Sequence, residues 1–169
     1  SLFRLLINWW QNEEVFKPWE SYYDEIIDWV TSSNEPFFLW VHNMDVHFPF
    51  FTPSQYRSQP AHKMFLANWK FWRAHINGEN ISEDTKKSLI TSYKDSIRYI
   101  DDFLRQLFND TSQYGPIYII HSDHGEAFGE HGVLSHGNNL YQENVHIPLV
   151  IYGIRSGNIS SPFSLNNLK

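Results

Sequence analysis

Along the chain, segments whose apolar residues recur every three or four positions give way to short apolar runs with no alternation. Between Trp19 and Val30 the apolar positions Tyr22, Tyr23, Ile26, Ile27 and Val30 fall at helical spacing, predicting an amphipathic helix that Thr31-Ser32-Ser33-Asn34 closes. The run Phe37-Phe38-Leu39-Trp40-Val41, inside Pro36 to His42, is bounded by turn-forming and polar residues and predicts a buried strand. From Pro49 to Pro60 prolines interrupt any period, and the aromatic stretch onward to Trp72 gives no readable element. Ser82 suits an N-cap, and Glu83 and Asp84 follow where the helix dipole favours acids. The helix they open places Leu89, Tyr93, Ile97, Ile100, Leu104 and Leu107 on one face and stops at Asn109-Asp110. Two further apolar runs, Pro116 to His121 and Ile147 to Tyr152, predict two more buried strands. Together these elements describe an α/β domain, a mainly parallel sheet flanked by helices, with residues 1–169 forming one domain.

Composition narrows the partners. The 169 residues suffice for one domain with a real core, and 41% hydrophobic against 19% charged residues excludes a disordered chain. A net charge of -6 without a basic stripe argues against nucleic acid and anionic membranes as partners. There is no membrane span, because no apolar run reaches the roughly 18 residues a spanning helix needs. The opening Ser1–Trp10 stretch makes a poor signal peptide, and a start at Ser1 suggests that an upstream portion of a longer protein is missing. Aromatics at 17%, with 7 Trp, fit a ring-lined core and groove, or a platform for sugar or lipid headgroups. The absence of cysteine excludes disulfides, thiolate metal sites and a Cys nucleophile, and leaves the compartment open.

In parallel α/β sheets ligands bind beyond the carboxyl ends of strands. Two polar clusters stand there: His42-Asn43-Met44-Asp45-Val46-His47-Phe48-Pro49 after one strand, and Ser122-Asp123-His124-Gly125-Glu126 after another. Asp123 and His124 offer a carboxylate oxygen and an imidazole nitrogen, ligands for a hard or borderline divalent cation, and Gly125 permits a sharp turn that lets them converge.

The second cluster extends through Ala127-Phe128-Gly129-Glu130-His131-Gly132 to Ser135-His136-Gly137, Leu140-Tyr141 and His146-Ile147-Pro148-Leu149. This pattern resembles the C-terminal signature of sulfatases and related members of the alkaline phosphatase superfamily. The segment Pro36–Phe50, with a His before an aromatic-Pro pair, and the helix end Ser96–Asp102 are similar to the family's corresponding elements. The resemblance is best over residues 19–152 and implies a partial alkaline-phosphatase-like fold. It implies that Asp123 and His124 are metal ligands for one divalent ion, calcium in the first place, with manganese and zinc as alternatives. It implies further that His47 contacts the ester oxygen or transferring group. His136 stands where many sulfatases have Lys and phosphoethanolamine transferases have His, a place from which a proton can reach the leaving oxygen. His131 is a substrate-binding candidate, with a loop-structuring role as the alternative. His42, Asp45 and His146 read as structural supports, His121 as a satisfied core histidine, and Glu126 as a helix-start carboxylate.

The resemblance implies metal-dependent hydrolysis of sulfate esters in the complete enzyme, with a phosphoester hydrolase or phosphoethanolamine-type transferase as the alternative; specificity is expected from the Phe48–Trp72 region and from the absent N-terminal half. The family's nucleophile, a Cys or Ser in a C/S-x-P-x-R motif or a Thr in phosphotransferases, belongs to an N-terminal half. Here Ser58-Gln59-Pro60 continues as Ala61-His62 and does not match that motif. Three expectations follow, in this order: part of a working enzyme whose N-terminal half or partner chain lies elsewhere; a non-catalytic metal- or glycan-binding remnant; or a water-based mechanism.

Overall fold

In the computed structural model, residues 17–137, 139–154, 164 and 166 are described. A 3-10 turn at Trp19–Ser21 leads into α1 (Tyr23–Ser32), followed by α2 (Ala61–Asn77) and the long α3 (Glu83–Thr111). Then come β1 (Tyr118–His121), β2 (Ala127–Phe128), β3 (Leu134–Ser135), the single turn α4 (Gln142–Val145) and β4 (Leu149–Tyr152). Among the described residues, no helix is long and apolar enough to cross a membrane.

Helix α3 is the spine. It starts as the sequence predicts, with the Ser82 hydroxyl accepting from the Thr85 N–H at 3.3 Å. Tyr99 and Phe103, on its C-terminal half, pack against Trp19, Tyr23, Ile26 and Val30. Leu89, on its N-terminal half, packs against Phe50, Ala67, Phe71 and Phe128. The buried face is therefore centred on Leu89, Ser92, Ser96, Tyr99 and Phe103, whereas Ile97 is exposed. The predicted stripe was displaced because small polar residues occupy the middle of the true face. Ser92 and Ser88 let the loop before α2 approach closely: Gln59 Nε2 donates to the Ser88 carbonyl at 2.7 Å and to Ser92 Oγ at 2.8 Å. Asp95, fully buried, accepts from the Ser58 N–H at 2.8 Å and from Arg98, so its burial is compensated.

Helix α2 lies in the stretch that gave no readable element. Its buried residues Met64, Ala67, Asn68, Phe71 and Ala74 recur at helical spacing, and Gly78 closes it at φ 66°. Exposed Leu66, Trp69 and Ile76 blur that period in the sequence. Asn68, buried between α2 and the preceding loop, accepts from the Phe50 N–H at 2.9 Å and donates to the Met64 carbonyl at 2.9 Å.

The strands depart from expectation. Pro36–His42 enters no ladder among the described residues, and Phe38 and Trp40 are 83% and 72% exposed. A strand exists only where a neighbour takes up its backbone hydrogen bonds, and no described strand lies alongside this run. The runs at Tyr118 and Leu149 do form strands, but β1 and β4 pair antiparallel, Tyr118 opposite Tyr152 and His121 opposite Leu149. Their connection holds the β2–β3 hairpin and the four-residue α4 rather than a long crossover helix, so the described residues contain no parallel pair. Burial alternates along both strands, leaving Ile119, Val150 and Tyr152 exposed.

Candidate metal centre

The chain leaves β1 into Ser122-Asp123-His124-Gly125, and Gly125 fixes where this turn lies. Its N–H donates to the Asn144 carbonyl at 2.9 Å, and a Cβ at this position would stand 2.0 Å from the Glu143 carbonyl oxygen. Only glycine fits, which pins His124 against the segment around α4. The β2–β3 hairpin, with Ala127 opposite Ser135 and Phe128 opposite Leu134, then doubles the chain back and brings His136 beside Glu126. Its turn uses left-handed backbone at Gly129 and Gly132. His47 arrives from a separate loop, shaped by the Asp45 N–H donating to Asn43 Oδ1 at 2.9 Å and by the His47 N–H donating to the Met44 carbonyl at 3.0 Å.

These three segments meet. The rings of His124 and His136 stack at 3.8 Å between centroids, and His47 stands edge-on to both, at 6.0 and 5.2 Å. One ligand nitrogen from each of His47, His124 and His136 lies within 4.8 Å of the others, a spacing at which one ion can be held. Each Nδ1 already has an acceptor: the Phe48 carbonyl for His47 at 2.6 Å, the Gly125 carbonyl for His124 at 2.7 Å, and both Glu126 oxygens for His136 at 3.3 Å. A carbonyl can only accept, so Nδ1 of His47 and His124 carries the proton and Nε2 keeps its lone pair. Fixing the outer nitrogen is the usual way a ligating imidazole is oriented.

Asp123 lies at the rim, its side chain 70% exposed, with Oδ1 3.8 Å from His124 Nε2. A cavity of about 400 Å³ adjoins the cluster, bounded by Asp123, His124, His136, Asn139, Leu140 and Asn144. His131 is not brought into the cluster: it stacks on Tyr141 at 4.2 Å, with Nε2 3.6 Å from Glu143. His121, read from sequence as a core histidine, is exposed at the end of β1, because the alternating burial of that strand turns it outward.

Glu126 is the residue the sequence reading misjudged. It precedes a strand rather than opening a helix, and its side chain is only 7% exposed. The signal that finds it is the pair of turn glycines, Gly129 and Gly132, which predict a hairpin and hence a neighbour across it. Burial pushes the Glu126 carboxyl up to about 7, opposed by the adjacent His124 and His47. Burial, reinforced by His124, holds His136 below the ordinary imidazole value. Away from the cluster, burial and then Glu20 push Asp45 up to about 7.

A family model described as Sulfatase matches residues 6–158. The chain is also similar to phosphoethanolamine transferase EptA of Helicobacter pylori (strain ATCC 700392 / 26695), 28% identical over 90 residues. That match covers 50% of this chain and 17% of that protein, so the chain aligns with a minor part of its relative's length. No solved structure matches.

Proposed function

Because this chain belongs to the sulfatase family, we propose that it forms the histidine-lined, metal-binding part of an ester-cleaving site whose substrates are sulfuric esters. The observation behind this reading is the convergence of His47, His124 and His136, each with Nδ1 occupied and all three offering a nitrogen to one point. The family's fold is the alkaline-phosphatase-like α/β fold; its mainly parallel sheet in the whole domain is part of the proposal.

The donor set fits a divalent ion. Three imidazoles suit zinc or another borderline cation better than calcium, which favours six or more oxygens, and Asp123 adds one carboxylate. An ion held there supplies Lewis-acid polarisation of the ester oxygens. In the working site Asp123 and His124 would hold the ion, while His47 and His136 would face the transferring group through Nε2; once Nε2 of His136 has itself taken a proton, the imidazolium would pass it to the leaving oxygen. In the chain by itself the three imidazoles would hold the ion. His131, on its Tyr141 platform, contacts the alcohol part of the ester. The nucleophile comes from a further segment or a partner chain. What supports this is exposed apolar surface beside the site, the run Phe37–Trp40 and the outer side of β1 and β4, in a protein otherwise carrying a net charge of -6.

A second reading, phosphoethanolamine-type transfer, is favoured by the similarity to EptA and by His136. The two readings are separated by assaying the whole protein from its source on p-nitrophenyl sulfate and on phosphatidylethanolamine vesicles. The expected result is sulfate release that a chelator and His124→Ala both abolish. Phosphoethanolamine transfer without sulfate release would replace the first reading with the second, and metal binding with neither activity would leave a non-catalytic binder.

A further inference from the structure

We infer that Glu126 is the positioning residue for His136, whose Nδ1 meets a side-chain carboxylate. The inference rests on the proposed metal-centre reading and adds to it a residue outside the ligand set. His47 and His124 are held through Nδ1 by the carbonyls of the residues that follow them, so their orientation comes with the backbone. Among the described residues, no carbonyl meets Nδ1 of His136. Its Nδ1 lies 3.3 Å from both oxygens of Glu126, ten residues away across the β2–β3 hairpin.

The carboxylate is itself well placed. Its side chain is 7% exposed, and it directly precedes β2 at the foot of the hairpin. Burying a carboxylate is unfavourable unless it has a partner, and among the described residues no Lys or Arg pairs with Glu126. The nearby Glu130 makes the contrast. It accepts from Lys86 at 2.7 Å and from the Phe128 N–H at 2.6 Å, an ion pair and a backbone anchor that stabilise the hairpin itself. Glu126 is directed at the imidazole. As an ionised acceptor it puts the proton of His136 on Nδ1 and leaves the Nε2 lone pair for the shared centre, the tautomer that the two carbonyls impose on His47 and His124. All three rings are thereby matched.

The test combines imidazole nitrogen NMR with zinc titration of the full chain and its Glu126→Ala, Glu126→Gln and His124→Ala variants. The expected wild-type result is His136 in the Nδ1–H tautomer. Glu126→Ala is expected to mix the tautomers and weaken zinc binding about 10- to 100-fold. Glu126→Gln keeps an acceptor oxygen and is expected to restore both. A wild-type Nε2–H tautomer, or a Glu126→Ala protein with unchanged tautomer and affinity, would overturn the inference. Zinc binding that survives His124→Ala would instead sink the metal-centre reading, while the tautomer measurement still decides the role of Glu126.

Discussion

The helices around α3 close over their own apolar residues, while the strand segments leave theirs in solvent. Phe50, Met64, Phe71 and Leu89 are almost wholly buried, whereas Phe38, Trp40, Val150 and Tyr152 are at least half exposed. The two regions have similar residue types, so hydrophobicity does not separate them. What differs is the supply of neighbours: a helix satisfies its own backbone and needs only one packed face, but a strand needs a partner along its edge. The candidate centre straddles this boundary. His47 follows the unpaired run, His124 follows β1, and His136 is carried by a hairpin whose Phe128 is buried in the helical core.

The largest effect is expected in the closed helical layer. Phe71→Ala removes a ring packed against Phe48 and Phe128 and is expected to cost about 3–5 kcal/mol in urea unfolding. A smaller loss would mean that the helical layer is loosely packed. Next comes pH. Glu126 is raised above its unfolded value, so it binds its proton more tightly when folded. Its contribution to stability is complete below about pH 4.5 and disappears as pH rises through about 7, a change on the order of 3 kcal/mol. Glu126→Gln should flatten that slope in unfolding midpoints measured from pH 4 to 8. Asp45, raised for the same first reason, gives a slope of the same sign that Asp45→Asn removes.

Gly125→Ala sets a methyl against the Glu143 carbonyl and is expected to cost about 1–3 kcal/mol, with loss of metal affinity because His124 shifts. The smallest effect sharpens the comparison from the open side. Trp40→Ala should change stability by no more than about 0.5 kcal/mol, since the ring is 72% exposed. A large loss of stability from Trp40→Ala would show that this run is covered in solution.

Helices with a clear apolar period or a capping residue were legible in the sequence. Ser82 with Glu83 and Asp84 located the start of α3, and Tyr23, Ile26 and Val30 located α1. Helix α2 was not, because aromatic and aliphatic residues on its exposed side masked the stripe from Met64 to Ala74. The apolar runs at Tyr118 and Leu149 were read as strands, but their direction depends on the connection between them, which local patterning does not encode. At the site, the resemblance singles out His47 and His136 as contacts to the ester and Asp123 with His124 as ligands; the structure brings a nitrogen of each of the three histidines within 4.8 Å of the others, a grouping the sequence does not spell out. Glu126 was not legible, because its role exists only across a hairpin.

The central claim, that three histidines from separate segments form one metal centre, is tested most directly by zinc X-ray absorption on the loaded chain, with His47→Ala alongside. The account expects one bound ion with about three imidazole nitrogens at roughly 2.0–2.1 Å, and one fewer in the variant. A first shell of oxygens, or an imidazole count that His47→Ala leaves unchanged, would contradict it.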